Sequence, residues 1–252
     1  MRVTIVQTDI TWACPAANRA HMDGMLRGIE GSDLIVLPEM LSTGFATNPE
    51  GIAERDGSTL AWMKAKAAEK GCAIAGSVAT EADGLFYNRF YFVTEEGSTT
   101  HYDKHHLFTY SGEHHRFTAG NDRVTVEYRG VRIRLLVCYD LRFPIWSRNK
   151  ADEPYDIALY VASWPTSRAD AWDTLLKARA IENQCYVAGV NRVGEDPNCP
   201  YCGGSAVIDP YGRVIATCGR GNEGVVTADI DMAALKAFRE KFPVLNDADK
   251  IG

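Results

Sequence analysis

The sequence predicts an α/β protein in which helices cover mixed β-sheets. Short runs of β-branched and aromatic residues recur roughly ten times and predict strands. Helical patterns lie between several of these runs, whereas "EYRGVR" and "DPYGR" are typical of turns that join antiparallel strands. Because each strand needs both faces covered, this alternation favours layers with sheets inside and helices outside.

The predicted strands follow one another through the chain without a Gly-, Ser- or Pro-rich linker. They are "RVTIVQT", "DLIVLPE", "CAIAGSVA", "RFYFVT", "RVTVEYRGVRIRLLVC", "DIALYVAS", "CYVAGVNRV", "SAVIDPYGRVIATC" and "GVVTADID". A chain of 252 residues with 46% hydrophobic content is able to bury one large core. We therefore expect a single domain over residues 1–252.

Three helices are predicted between the strands. The first covers residues 15 to 29, and the second begins at Ser58 as N-cap and ends at Gly71 as C-cap. The third begins near Ser167, which forms a capping-box pattern with Asp170. Its expected buried residues are Trp172, Leu175, Leu176 and Ile181.

Composition limits the partners and the compartment. The formal net charge is −6 and no long basic cluster occurs, which argues against nucleic acid or an anionic membrane as partner. No apolar run approaches the roughly 18 residues of a membrane span, and the first residues alternate like a strand. These features predict a cytoplasmic protein that acts on a small molecule.

Seven cysteines without a secretory leader argue against a disulfide framework. Cys199 and Cys202 form the one close pair, but no second pair or nearby histidine completes a zinc site. His105 and His106 likewise lack a carboxylate or cysteine at a ligand-like offset. We expect free thiols and no metal or other cofactor.

Three strand-like runs end in a reactive side chain. "LIVLPEM" ends in Glu39, "THYDKHHLF" carries Lys104 and "LLVCYD" carries Cys138. Residues just past strand ends assemble sites in α/β folds, so we expect the three to converge. A nucleophilic cysteine requires a base or a local positive charge, and Glu39 and Lys104 supply these two. The N–H of Tyr139 is a further donor for negative charge that develops on an attacked carbonyl or nitrile.

These motifs resemble the nitrilase superfamily of carbon–nitrogen hydrolases along nearly the whole chain. The resemblance is carried by "VTIVQTD", "LPEMLSTGF", "YDKHHLF", "LLVCYDLRFP", "KARAIENQCYVAGVNRVG" and "GGSAVIDPYGRV". It implies a four-layer αββα sandwich, a homodimer, Glu39 as general base, Lys104 as oxyanion stabiliser and Cys138 as nucleophile. The family's second glutamate falls on Glu113 in "SGEHHRFTAG".

Within the superfamily, "LPEMLSTGF", "ASWP" and "ARAIENQCYVAGVNRVG" are most similar to the ω-amidases. This similarity implies hydrolysis of the terminal amide of 2-oxoglutaramate and 2-oxosuccinamate. We expect Arg168, with free N–H groups of its helix, to receive the substrate carboxylate. Arg142 is either a second ligand or a brace for a carboxylate such as Asp140. The expected aromatic walls of the pocket are Phe45, Tyr110, Tyr139 and Trp164.

Other functions remain open from the sequence. Another linear amidase, an N-carbamoyl amidohydrolase and a nitrilase share the same Glu-Lys-Cys centre. A module of another class would use that centre to bind a ligand or to pass an acyl group to a partner. An ordinary structural protein is the remaining alternative.

Overall fold

The computed structural model describes residues 1–249, which form two β-sheets. The first sheet contains β1 (Arg2–Gln7), β2 (Leu34–Val36), β3 (Ala73–Ala82), β4 (Leu85–Val93), β5 (Thr99–Asp103) and β13 (Gly224–Asp229). The second contains β6 (Thr125–Tyr128), β7 (Val131–Val137), β8 (Ile157–Ala162), β9 (Tyr186–Asn191), β10 (Val193–Glu195), β11 (Pro200–Ile208) and β12 (Val214–Arg220).

Both sheets are mixed, as the sequence predicts. The strand order is β13-β1-β2-β3-β4-β5 in the first sheet and β10-β11-β9-β8-β7-β6 in the second, with β12 paired to β11. The central pairs β1–β2, β2–β3, β7–β8 and β8–β9 are parallel. Strand β1 also pairs antiparallel with β13, so that Arg2 lies opposite Asp229.

Helices cover the outer faces of the two sheets. They are α1 (Pro15–Leu26), α2 (Ser58–Lys70), α4 (Ala169–Asn183) and α5 (Met232–Lys241), whereas the short α3 (Pro144–Ser147) packs beside the turn that carries Cys138. Met22 of α1 and Met63 of α2 pack on the first sheet, and Trp172 and Leu176 of α4 pack on the second. A continuous apolar core fills the space between the sheets. The expected four-layer αββα order is therefore confirmed.

Both predicted tight turns join antiparallel strands. Arg129 and Gly130 connect β6 to β7, and both have positive φ, at 50° and 73°. The turn between β11 and β12 is held by the carboxylate of Asp209, which accepts from the N–H groups of Tyr211 and Arg213. Local turn chemistry thus sets these two hairpins, as expected.

The expected range of α2, residues 58 to 70, is confirmed, but its N-cap is not Ser58. Ser58 is the first helical residue, and the N-cap is Gly57. The first-turn N–H of Thr59 donates instead to the carboxylate of Glu54, at 2.8 Å. The predicted C-cap Gly71 is confirmed and has a left-handed φ of 63°.

The expected start of α4 is also wrong. After Pro165 the chain makes a separate 3₁₀ turn, Thr166–Arg168, so that the α-helix begins at Ala169 and Ser167 makes no side-chain cap. The expected burial of Ile181 is wrong as well, because this side chain is 53% exposed. The buried face follows Trp172, Leu176 and Ala180 at intervals of four residues, and Ile181 lies one residue beyond it.

The state of the cysteines and the length of the helices were also predicted from the sequence. All seven cysteines are free thiols, and Cys202 lies within β11. Within residues 1–249, no helix has both the length and the apolar character that a membrane crossing requires.

Candidate active site

Three strand ends bring Glu39, Lys104 and Cys138 together. Glu39 follows β2, Lys104 follows β5 and Cys138 follows β7. The Lys104 Nζ donates to the Glu39 Oε1 at 3.0 Å, and both side chains are fully buried. Cys138 lies close enough for the charges of both residues to affect its thiol.

The Glu39 carboxylate is held by three donors. Its Oε1 accepts from the Lys104 Nζ and from the Asn88 Nδ2, the latter at 2.7 Å. Its Oε2 accepts from the backbone N–H of Ser163, also at 2.7 Å. A carboxylate oxygen has two lone pairs, so Oε1 is saturated whereas Oε2 retains one free lone pair among the contacts within residues 1–249.

Lys104 also pairs with the buried Glu113. The Lys104 Nζ lies 2.9 Å from Oε2 and 3.1 Å from Oε1 of Glu113, and the N–H of Phe108 donates to the same carboxylate at 2.6 Å. Burial opposes the charge of Lys104, but Glu113 and Glu39 raise the pKa of its ammonium above the ordinary value. Burial likewise raises the pKa of Glu113, although Lys104 opposes this shift.

Cys138 occupies a strained backbone position. Its φ is 43°, in the left-handed region that residues with a Cβ seldom adopt, and such outliers cluster at functional sites. Burial and the negative charge of Glu39 raise the pKa of the thiol well above its ordinary value, whereas Lys104 lowers it. The Glu39 carboxylate and the Lys104 ammonium therefore shift the pKa of the thiol in opposite directions.

A buried carboxylate braces the turn that carries Cys138. The Asp140 Oδ2 accepts from the N–H of Val137 at 2.9 Å and from the hydroxyl of Tyr102 at 2.7 Å. Its Oδ1 accepts from the N–H of His106 at 3.0 Å. Asp140 thus ties the cysteine turn to the segment around Lys104. Within residues 1–249, no hydrogen bond or ion pair joins Arg142 to Asp140, so the brace considered for Arg142 is not formed.

Two polar residues of this centre were missed in the sequence analysis. Asn88 lies within β4 and donates through one amide nitrogen to both Glu39 and Glu113, at 2.7 and 3.3 Å. Its Oδ1 accepts from the hydroxyl of Ser77, which in turn accepts from the N–H of Met40. This chain of donors turns the NH₂ group of Asn88 towards the carboxylates. A polar residue inside the aromatic run "LFYNRFYFV" was the available signal.

A cavity of about 350 Å³ opens above Cys138. The five residues expected to bind substrate all line it, and they are Phe45, Tyr110, Tyr139, Trp164 and Arg168. Another wall was not predicted from the sequence: it comes from Asp196 and Cys199, between β10 and β11, and from Tyr201 at the start of β11. The hydroxyl of Tyr201 donates to the Asp196 Oδ2 at 2.6 Å, which fixes this wall.

Two arginines in the cavity wall lie against aromatic rings. The guanidinium of Arg142 stacks at 4.9 Å over Trp164, and that of Arg168 lies 5.2 Å from the ring centre of Phe108. Neither guanidinium has an ion pair or a hydrogen-bond acceptor within residues 1–249. The N–H of Arg168 itself is not free, because it donates to the carbonyl of Pro165.

The described residues offer no candidate metal centre. Over residues 1–249, no three His, Cys, Asp or Glu side chains lie in an arrangement that would hold a metal ion. His106 instead pairs through Nδ1 with Asp140 at 2.8 Å, and His105 stacks on Trp146. Both histidines therefore support the segment that carries Lys104.

Comparisons with known proteins agree with this geometry. A family model for carbon–nitrogen hydrolases matches residues 2–240. The omega-amidase YafV of Escherichia coli K12 is 49% identical, over 99% of this chain and 97% of the relative. The 2-oxoglutaramate amidase of Bacillus subtilis is 38% identical, over 98% and 97%.

Solved structures show the same fold. The CN-hydrolase superfamily protein XC1258 of Xanthomonas campestris, solved with an arsenic adduct in its active site, superposes with a TM-score of 0.97. It is 44% identical and the match covers 100% of this chain and 98% of that one. Yeast Nit3, at 22% identity, shares the fold with a TM-score of 0.86 over 97% and 94% of the two chains. The chain therefore belongs to the carbon–nitrogen hydrolase family and is a hydrolase of carbon–nitrogen bonds other than peptide bonds.

Proposed function

We propose that this protein is an ω-amidase, which hydrolyses the terminal amide of small 2-oxo dicarboxylic acid monoamides to the dicarboxylate and ammonia. The substrates we assign are 2-oxoglutaramate and 2-oxosuccinamate. One observation carries the proposal: a cavity has a buried thiol–carboxylate–ammonium centre at its base and two unpaired guanidinium groups in its wall. Relatives named omega-amidase and 2-oxoglutaramate amidase support this substrate class.

The first chemical step forms a tetrahedral adduct between Cys138 and the amide. As the sulfur of Cys138 attacks the amide carbon, the thiol proton passes to the Glu39 Oε2, which is the oxygen with the free lone pair. Negative charge then develops on the carbonyl oxygen. We assign one N–H of the Lys104 ammonium and the backbone N–H of Tyr139 to that oxygen, where buried donors stabilise charge most strongly.

Two further steps release the products: the adduct collapses to the thioester, and water then hydrolyses the thioester. The carbon–nitrogen bond breaks, and ammonia departs with the proton that Glu39 holds. A water molecule then gives a proton to Glu39 and attacks the thioester carbon. The carbon–sulfur bond breaks, the proton returns to sulfur, and the dicarboxylate leaves.

Glu113 and Asn88 hold the reacting groups without taking part in proton transfer. Glu113 fixes the Lys104 ammonium through contacts of 2.9 and 3.1 Å. Asn88 and Lys104 donate hydrogen bonds to both lone pairs of the Glu39 Oε1, so that the carboxylate accepts a proton at Oε2. Positioning of this kind lowers the barrier because the groups do not reorganise during the reaction.

Arg142 and Arg168 are the groups we assign to the distant carboxylate of the substrate. Each is planar, permanently charged and backed by an aromatic ring, which suits it to hold a carboxylate by two parallel hydrogen bonds. The aromatic rings of Phe45 and Trp164 supply apolar walls for the short carbon chain. The substrate would thus bind between the two arginines and Cys138.

An ammonia-release assay tests the proposal against its rivals. The panel contains 2-oxoglutaramate, glutamine, an N-carbamoyl amino acid and a simple nitrile, and we expect 2-oxoglutaramate to give the highest kcat/KM. A higher value for any other member would replace the assigned substrate. Adduct formation with little hydrolysis would instead favour the acyl-transfer alternative.

Variants test the assigned residues. Cys138→Ser should abolish turnover while Tm stays close to that of the native protein, whereas Cys14→Ser at an exposed position should keep full activity. Mass spectrometry of a stalled reaction should find the acyl group on Cys138 and not on Cys185 or Cys202. Arg168→Ala should raise KM for 2-oxoglutaramate about tenfold or more, the loss expected for one charged hydrogen-bonded contact. An unchanged KM would remove Arg168 from the carboxylate site.

Three expectations from the sequence stay predictions. They are the homodimer, the cytoplasmic location and the single domain over residues 1–252. Size-exclusion chromatography with light scattering tests the first of them directly.

A further inference from the structure

The hydroxyl of Ser163 is a buried polar group without a partner. Ser163 follows strand β8 directly, and only 4% of the residue is exposed. Its Oγ has no hydrogen-bond partner within residues 1–249. A buried hydroxyl without a partner lowers stability, and such groups in native proteins call for a functional explanation.

This hydroxyl lies beside the reacting centre. Ser163 lines the same cavity as Cys138, and its backbone N–H donates to the Glu39 Oε2 at 2.7 Å. Since Oγ is only three bonds from that nitrogen, the hydroxyl lies near the oxygen that we assign as general base. The Ser163 oxygen itself is covered in the free protein, so rotation about the Cα–Cβ bond would turn the hydroxyl towards a substrate held over Cys138.

The chemistry of the site indicates which substrate group this hydroxyl would bind. The Lys104 ammonium and the Tyr139 N–H are donors, and we assign both to the carbonyl oxygen. A primary amide also brings two N–H groups, which require acceptors. The free lone pair of the Glu39 Oε2 and the Oγ of Ser163 are acceptors near the leaving nitrogen.

We propose that the Ser163 hydroxyl accepts a hydrogen bond from the NH₂ group of the substrate and thereby selects primary amides over esters and nitriles. This inference rests on the proposed amidase function of the cavity. Once Glu39 holds the thiol proton, its Oε2 becomes a donor to the lone pair of the leaving nitrogen. Ser163 then holds one N–H of that nitrogen away from Glu39, so that the lone pair faces the proton.

Ser163→Ala tests the proposal, because it removes the hydroxyl and keeps the backbone N–H that binds Glu39. The assay compares kcat/KM for a primary amide with that for the methyl ester of the same acid, which lacks an N–H group. We expect the amide value to fall about 10- to 100-fold, as expected when a hydrogen-bonded substrate group loses its partner, and the ester value to change less than about threefold. Tm should stay the same or rise, since the hydroxyl has no partner in the free protein.

The control is Ser147→Ala, another buried serine, which lies outside the cavity lining. It should leave the ratio of amide to ester kcat/KM at the native value. Equal losses for amide and ester in Ser163→Ala, or an unchanged amide value, would overturn the proposal. The comparison uses whichever primary amide the ammonia-release panel ranks highest. If 2-oxoglutaramate is not hydrolysed in that panel, the proposed substrate is wrong, but the role of Ser163 can still be tested with another primary amide.

Discussion

Replacement of Lys104 by methionine should leave two buried carboxylates without their cation. The Lys104 Nζ lies 3.0 Å from the nearer oxygen of Glu39 and 2.9 Å from that of Glu113, and all three side chains are fully buried. Methionine approximates the length of the lysine side chain but carries no charge. The substitution therefore removes the cation and retains most of the volume.

The magnitude follows from these distances. At about 3 Å and an effective dielectric constant of about 20, each attraction amounts to about 5–6 kcal/mol before desolvation. Desolvation of the ions offsets much of this, and removal of one partner from a buried pair typically costs about 3–5 kcal/mol. We expect Lys104→Met to lower the free energy of unfolding by about that amount at pH 8.

The loss should depend on pH. Burial already raises the pKa of Glu113 in the folded protein, and Lys104 opposes that shift, so its removal raises the pKa further. A carboxyl whose folded pKa lies above its unfolded value of about 4.3 binds more protons when folded. Its contribution to stability is therefore present at low pH and declines as pH rises through the folded pKa. The difference between variant and native protein should be smaller at pH 5 than at pH 8.

Urea unfolding at pH 5 and pH 8, followed by tryptophan fluorescence, measures both quantities. The double variant Lys104→Met/Glu113→Gln serves as control, because it also removes one of the two unpaired carboxylates. Its free energy of unfolding should exceed that of Lys104→Met by about 2 kcal/mol or more. A loss below about 1 kcal/mol, or an equal loss at both pH values, would refute the reasoning.

Three further predictions concern the same centre and the contact between Gly120 and Asp103. Glu39→Gln should lower turnover about 10²- to 10⁴-fold. It should also lower the pKa of the Cys138 thiol, because the Glu39 charge raises that pKa. The pH dependence of iodoacetamide alkylation measures the thiol pKa, and an unchanged value would contradict the prediction. Asn88→Asp replaces an NH₂ donor 2.7 Å from Glu39 by an acceptor, so kcat should fall about 100-fold with little change in KM. A kcat within threefold of the native value would show that Asn88 does not position Glu39. Gly120→Ala would place a Cβ 2.2 Å from the carbonyl oxygen of Asp103, so Tm should fall by several degrees, by about 2–4 °C per kcal/mol; an unchanged Tm would show that the backbone yields there.

The sequence was sufficient to predict which residues meet at the strand ends. Glu39 and Cys138 each follow an apolar run, Lys104 follows the more polar strand β5, and strand ends in such folds lie at a common edge. The four layers followed from the resemblance, whereas the alternation of strand and helix alone predicted only mixed sheets with helices outside.

Other parts of the site had weaker signals. Asn88 lies within a strand, where a polar residue usually faces solvent, and its burial depends on the pairing of β4 with β3. The wall formed by Asp196 and Tyr201 depends on how the β10–β11 segment folds back over the cavity, which its composition does not specify. The predicted cap at Ser167 failed because the chain after Pro165 first makes a 3₁₀ turn.

The pairing of β1 with β13 has a consequence for biosynthesis. Residues 2–7 lie beside residues 224–229 in the folded sheet, so strand β1 leaves the ribosome long before its partner β13 is synthesised. Until then its unpaired backbone presents an open edge on which other chains can add. Nascent chains that stall before residue 224 should therefore be a preferred client of chaperones that shield exposed strands.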